Sequence, residues 1–331
     1  MQQVELRLDK GIVVREGERT LHLDPTRERT PSVISHAHAD HASANGLMTP
    51  PTRDVLQVRT GASSTTLASL GSTTDHGGFE VTLHNAGHVL GSAMVQLGGL
   101  LYTGDLNPEG ALTVPPAQPI DCSTLLIEAT FGHPRHRFPP KQEVIRDMQL
   151  WAQAVTETRS LVLGGYTFGK SQELIALLNA VDVPVMVTPD IAAVAAVYRA
   201  HDIPLRYEVL EGPEAIPSSP HAAILPREGL SSKGGAGAKG GLARELGARY
   251  RAAGAAFGYS SGWCATWNLA RSWGLEAQFP LSDHADFDAL MQFIGGCDPD
   301  QVYTVYGEDR ALADAVQTQL GITAGALRDL K

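Results

Sequence analysis

The chain changes style twice, and that double change restricts its fold more than any other feature. Up to residue 131 it reads as short strands broken by turns: VELRL, GIVVRE, TLHLD, SVISH, FEVTLHNA, SAMVQLGG, LLYTGD and STLLIEAT. From 141 the period lengthens. KQEVIRDMQLWAQAVTE, SQELIALLNAV and IAAVAAVYRAH read as helices, and the apolar runs SLVLGGY and VPVMVT between them read as strands. Helices alternating with strands imply a parallel sheet. Near 279 the strand-and-turn style returns with FPLSDHAD, then a helix DALMQFIGG, a strand QVYTVYG and a last helix. The expectation is an α/β chain in which residues 132–278 form a domain inserted into one made of 1–131 and 279–331. At 331 residues, 43% of them apolar, the chain is long enough to bury two cores.

Several classes are excluded. No apolar run is long enough to span a bilayer, and MQQVELRLDKG lacks the apolar centre of a signal peptide, so no membrane and a cytoplasmic location are expected. Cys122, Cys264 and Cys297 are far apart and form no CxxC pair, so a metal would have to use nitrogen and oxygen ligands. A net charge of -10 argues against coating nucleic acid by bulk attraction. One basic stretch stands out at 227–251, with Arg227, Lys233, Lys239, Arg244, Arg249 and Arg251 around the run GGAGAKGG. It reads as a local basic patch or as a flexible surface loop.

The densest chemistry is Ser35-His36-Ala37-His38-Ala39-Asp40-His41, directly after the apolar run Ser32-Val33-Ile34. A strand that ends in a tight loop can present His36 and His38 on one side of the turn. Asp40 and His41 then point to a second position about 3.5–4 Å away, the separation of two-metal hydrolytic sites. Imidazole and carboxylate suit Zn²⁺ and also accept Mn²⁺ or iron. Further candidate ligands recur at later strand ends, His88 in NAGHVLGS and Asp105 in LYTGDLN, each beside glycine.

HAHADH, AGHVLGS and TGD, with LDP at Asp24 upstream, resemble the successive metal motifs of the metallo-β-lactamase superfamily. EATFG at Glu128, GYTFGKSQEL at 165–174, YSSGW at 259–263 and PLSDHADF around His284 resemble its β-CASP nuclease branch, which includes RNase J, the RNA 3′-end cleavage factors and the DNA-repair nuclease Artemis. Short length, FGKSQ, SSGW and LSDHAD are most similar to the exonucleases associated with ATP-dependent DNA ligases. The resemblance implies a metallo-β-lactamase αββα sandwich with an inserted β-CASP α/β domain built on a parallel sheet, and an active site between the two.

Carried over residue by residue, the resemblance implies that His36, His38 and His88 bind a first metal, that Asp40 and His41 bind a second, and that Asp105 bridges them. It makes Asp24 a partner that orients a ligand. Two cations would lower the pKa of a bound water. Asp40, His284 and Glu128 are the expected catalytic groups, with Glu128 favouring the His284 imidazolium that gives a proton to the departing 3′ oxygen. Lys170 and Ser171, where the strand SLVLGGY meets a helix, and Ser260 and Ser261 before Gly262, are expected to bind phosphate.

One position departs from the pattern. Where the family's last motif often has histidine before Gly-Glu, this chain has Tyr306 before Gly307 and Glu308. A phenol with a pKa near 10 is a poor zinc ligand, so the second metal site is expected to be weak. Members acting on DNA often lack that histidine, which tilts the reading toward DNA over RNA. The expected function is thus a metal-dependent nuclease, a DNA exonuclease in repair, with Zn²⁺ or Mn²⁺ and with a DNA ligase or helicase as partner. An RNA-processing ribonuclease, a small-molecule hydrolase and a non-catalytic nucleic-acid-binding protein stay open as alternatives.

Overall fold

The structure, a computed structural model, describes residues 4–41, 45–61, 66–231 and 241–330. It divides into two compact units, Met1–Arg137 with His284–Lys331, and Phe138–Asp283.

The first unit holds two sheets. Val4–Leu8, Ile12–Glu16, Arg19–Leu23 and Ser32–Val33 form a four-stranded sheet in that order. The other has seven strands: Thr323–Ala326, Gln301–Val305, Thr124–Glu128, Leu100–Tyr102, Ala93–Leu97, Phe79–Asn85 and Thr73–His76. Successive side chains of a strand point to opposite faces, so the seven-stranded sheet builds two cores. Tyr102, Val95 and Leu126 join Ile12, Val14, Leu21 and Leu23 of the smaller sheet in one. Leu101, Met94, Leu125 and Ile127 join Leu290, Ile294 and Leu312 in the other. These last three lie on helices Phe287–Cys297 and Asp309–Ala315. Leu100–Tyr102, Thr124–Glu128 and Gln301–Val305 are mutually parallel, so their carboxyl ends lie together.

The second unit is a six-stranded sheet, all parallel, ordered Glu208–Val209, Val185–Val187, Ala222–Pro226, Leu161–Gly165, Ala256–Ser260 and Ala277–Phe279. The parallel sheet expected from helix–strand alternation is present. Helices Lys141–Thr156, Lys170–Asn179 and Pro189–Ala200 fall where the sequence period places them.

Several elements differ from the sequence reading, among them the strand Thr323–Ala326, which follows helix Asp309–Ala315 where only a last helix is expected. Helix Pro50–Thr60 interrupts the β-rich half; Thr49 caps it by accepting from Thr52 N, and two prolines open it, a start signal that the reading passed over. Part of the stretch read as a basic patch or loop is helix Gly241–Ala252, in which Arg251 donates to Leu230 O and stacks its guanidinium 3.9 Å from the Phe257 ring centroid. Lys233, Lys239 and most of the glycine-rich run lie outside the described residues. Among the described residues, no helix is long and apolar enough to cross a membrane.

Candidate metal centre

Four turns of the first unit deliver the site. The strand Ser32–Val33 runs into Ser35–His41, tied down where Ile34 N donates to Leu47 O and Arg59 donates to Ala37 O. Leu100–Tyr102 ends in Thr103-Gly104-Asp105. Gly104 has φ +55°, and a Cβ there would sit 2.8 Å from both Ser35 Cβ and Oγ, so glycine alone lets the two loops meet. Phe79–Asn85 leads into Gly87-His88, and Thr124–Glu128 ends on its acid.

Asp105 is the centre of the arrangement. Its Oδ2 lies 3.3 Å from His36 Nε2 and 3.5 Å from His88 Nε2, and its Oδ1 lies 3.3 Å from His41 Nε2. His88 Nε2 is 3.1 Å from His38 Nδ1. Ligand atoms of His36, His38, His88 and Asp105 all lie within 4.8 Å of one another; the same holds for Asp24, His36 and His41, and for Asp105, Glu128 and His284. His36 Nε2 is buried and makes no hydrogen bond. Four nitrogen and oxygen ligands at about 2.0–2.1 Å from a tetrahedral ion stand about 3.3 Å apart, so these separations and donor types fit a Zn²⁺-class cation.

The surroundings hold this geometry. Asp24 is fully buried and accepts from Ser35 N at 2.7 Å, Ser35 Oγ at 2.6 Å and Tyr102 OH at 2.7 Å, and pairs with His41 Nδ1 at 2.9 Å. Ser35 Oγ also meets His36 Nδ1 at 2.9 Å. One carboxylate thus orients two imidazoles, directly and through a hydroxyl. Burial opposes ionisation of Asp24, but the His41 bond and charge outweigh it and lower its pKa. Burial likewise pushes the His41 imidazole down, yet Asp105, Asp24 and Asp40 prevail and raise it to about 10. His38 goes the other way, held well below the ordinary value by burial and by its neighbours His36 and His88.

His284 forms the edge of the site. Its Nδ1 is 2.8 Å from Glu128 Oε1, and its Nε2 is 3.9 Å from Asp105 Oδ2. Glu128 is buried and accepts from Leu106 N at 2.7 Å and Thr130 N at 3.1 Å, which fixes the ring it holds. Despite burial, the charge and bond of His284 lower the Glu128 pKa.

The remaining expected residues are placed differently. Asp40 is exposed and belongs to none of the three clusters, although its charge acts on His41 and Tyr306. Tyr306 has φ +62°, its ring lies 5.1 Å from that of His41, and its hydroxyl bonds that of Tyr102. Lys170, expected to bind phosphate, is engaged within the fold. It is buried, with Nζ 2.6 Å from Glu173 Oε2 and 2.6 Å from Asp283 Oδ1, because an unpaired ammonium could not stay charged there. Gly164, Gly169, Lys170 and Ser171 have the spacing of a phosphate-binding loop. Ser171 Oγ, however, donates to Tyr166 O at 2.7 Å, and Gly164 makes room for Leu230. Ser260 Oγ is buried without a hydrogen-bond partner, and Ser261 Oγ accepts from Trp263 N at 3.4 Å. Ser35 and Tyr102 were missed by the sequence reading; their only signal was a hydroxyl residue just before a metal motif.

No protein-family model matches the chain. It is 30% identical over 312 residues to "Probable DNA ligase" of Opitutus terrae, covering 89% of this chain and 28% of that protein. It is 30% identical over 191 residues to "Transcription termination factor FttA" of Methanocaldococcus jannaschii, covering 44% of this chain and 30% of the other. The chain thus spans less than a third of each of these relatives. Among solved structures, a protein of unknown function from Enterococcus faecalis V583 superposes with a TM-score of 0.60 at 13% identity, over 91% of this chain and 92% of that one, a likeness of fold alone. With the motif order that first carried the resemblance, these relatives place the chain: it belongs to the metallo-β-lactamase superfamily, in its β-CASP branch.

Proposed function

We propose that the chain is a metal-dependent nuclease that hydrolyses phosphodiester bonds of DNA from an end, in repair, with unit Met1–Arg137 and His284–Lys331 as the metallo-β-lactamase sandwich and Phe138–Asp283 as the inserted β-CASP domain. The observation that carries the reading is the division of one carboxylate: Asp105 turns Oδ2 to His36 and His88 and Oδ1 to His41. His36, His38, His88 and Asp105 would hold one divalent cation, and Asp105, His41 and Asp40 a second, weaker one. A cation bound there polarises a phosphoryl oxygen and makes water a nucleophile near neutral pH.

The chain's own groups supply the rest. Asp24 keeps His41 and Ser35 in position, and Ser35 does the same for His36. His284, held by Glu128 at Nδ1, turns Nε2 to the Asp105 side, from where a proton on that nitrogen would pass to the leaving oxygen. Within the second unit, Ser260 and Ser261 are the serines offered to phosphate, while Lys170 serves the fold through Asp283 and Glu173. Tyr306 in place of histidine favours DNA, and the similarity to a protein called a probable DNA ligase favours a ligase as partner. The similarity to a transcription termination factor supports RNA as the second reading.

The test is cleavage of matched DNA and RNA strands by the purified chain with added Zn²⁺ or Mn²⁺, beside Asp105→Ala. Metal-dependent cleavage of DNA that Asp105→Ala abolishes is expected. Preference for RNA would move the reading to the ribonuclease, and activity in Asp105→Ala would sink the metal centre.

A further inference from the structure

The chain has eight phenylalanines, eight tyrosines and four tryptophans, and three of these rings are exposed: Tyr166 at 50%, Trp263 at 36% and Trp267 at 60%. All three lie at one edge of the second unit's sheet. Leu161–Gly165 pairs with Ala222–Pro226 on one side, Gly165 opposite Pro226, and with Ala256–Ser260 on the other. Tyr166 follows the first of these strands, Arg227 the second, and Trp263 and Trp267 the third. The carboxyl ends of three neighbouring parallel strands therefore carry every exposed ring.

That edge has a further property. After Leu161–Gly165 the chain crosses to Val185–Val187 on one side, whereas after the adjacent Ala222–Pro226 it crosses to Ala256–Ser260 on the other. Neighbouring strands whose connections leave in opposite directions open a crevice between their carboxyl ends, the place where α/β sheets bind ligands. Tyr166 and Arg227 stand on the two sides of it, with the guanidinium 6.0 Å from the ring centroid. The tryptophan loop is held firmly. Trp267 N donates to Trp263 O at 2.9 Å, and the Gln278 amide donates to Cys264 O at 3.0 Å and Trp267 O at 2.9 Å. A loop whose backbone is already held loses little backbone entropy when a partner stacks on its rings.

We propose that Tyr166, Trp263 and Trp267, with Arg227, form a stacking platform for the unpaired bases of a single-stranded nucleic acid. The inference rests on the nuclease reading and names the form of substrate that its second unit grips. The composition favours bases over a protein partner: a protein-binding patch mixes aliphatic side chains with its aromatics, but the exposed aliphatic residues, such as Leu8, Leu112 and Leu320, belong to the other unit or, like Leu150, to a helix outside these three strand ends. Every base has a π-face, so such a platform grips strands with little regard to sequence. Arg227, in an exposed pair with Glu228 at 3.7 Å, adds a guanidinium that can exchange that partner for a backbone phosphate in a chain whose net charge is -10.

The experiment titrates the full chain with single-stranded oligodeoxythymidylate, with an abasic strand of equal length, and with blunt duplex, reading tryptophan fluorescence and the dissociation constant. The thymidylate strand should quench the fluorescence and bind more tightly than the other two. Trp267→Ala and Tyr166→Ala should each weaken it by roughly tenfold, the loss of one stacked base, while Trp267→Phe, which keeps a ring, should retain most of the affinity. Equal affinity for the abasic strand, or alanine variants within about twofold of the unmodified chain, would overturn the platform. Metal-dependent cleavage by the unmodified chain is measured alongside; its absence would count against the nuclease reading, while the binding data would still decide this one.

Discussion

Asp24 shows what one residue contributes and what a sequence can reveal of it. The sequence marks it only as the acid of LDP upstream of a histidine cluster, and the expected role was to orient a ligand. In the structure its carboxylate gathers Ser35, His41 and Tyr102 in the interior. Spacing revealed the clustered histidines because their chemistry is local in the chain. It could not reveal Ser35 and Tyr102, whose part consists of hydrogen bonds to a residue eleven and seventy-eight positions away. Asp24→Ala leaves His41 Nδ1 and two hydroxyls without their acceptor. It should weaken metal retention by about 10–100-fold in a chelator competition. Retention equal to that of the unmodified chain would mean that the ring positions are set by packing alone.

At the scale of elements, the helix Lys170–Asn179 was legible as a helix but not in its role. Sequence alone suggests a phosphate contact for Lys170 at its start, as a strand-to-helix turn invites. Burial is the quantity that sequence does not give, and it decides the matter. Lys170 sits between Glu173 and Asp283, and Lys141 reaches the other oxygen of Glu173 at 3.2 Å. Burial favours the neutral amine, but Asp283 and Glu173 outweigh it and raise the Lys170 pKa; for Asp283, burial is outweighed by Lys170 and the pKa falls. The raised lysine stabilises the fold fully below its ordinary 10.5 and loses that contribution as pH rises through the folded value. The depressed aspartate stabilises above its ordinary 3.8 and loses it as pH falls through the folded value. Between those limits the pair should add nothing to the pH dependence of stability. Lys170→Met strands the Asp283 charge and should cost about 3–5 kcal/mol, seen as a lower denaturation midpoint at pH 7. A variant of unchanged stability that binds nucleic acid more weakly would return Lys170 to the phosphate role.

For the whole molecule, the change of style near 141 and again near 279 is readable because period two and period 3.6 leave different marks, whereas the expected bounds 132 and 278 differ by a few residues from the compact unit Phe138–Asp283. The interior of the second unit beyond residue 201 is not readable. Its strand Ala222–Pro226 carries two alanines and a proline, weak strand formers, and its helix Gly241–Ala252 carries arginines whose positions resemble those of a solvated loop until Arg251 is seen over Phe257. The proposed function gives the site two metal positions, one weak and one strong. Tyr306 offers a phenol where an imidazole would complete the second position, and burial together with Asp24 raises its pKa further, so it adds no ready ligand. The strong position has three imidazoles and Asp105. Elemental analysis of the purified chain after dialysis without chelator tests the central claim most directly. The account predicts about one zinc-class ion held per chain, and about none in His38→Ala; a chain that retains no ion at all, or a His38→Ala variant that retains as much, would contradict it.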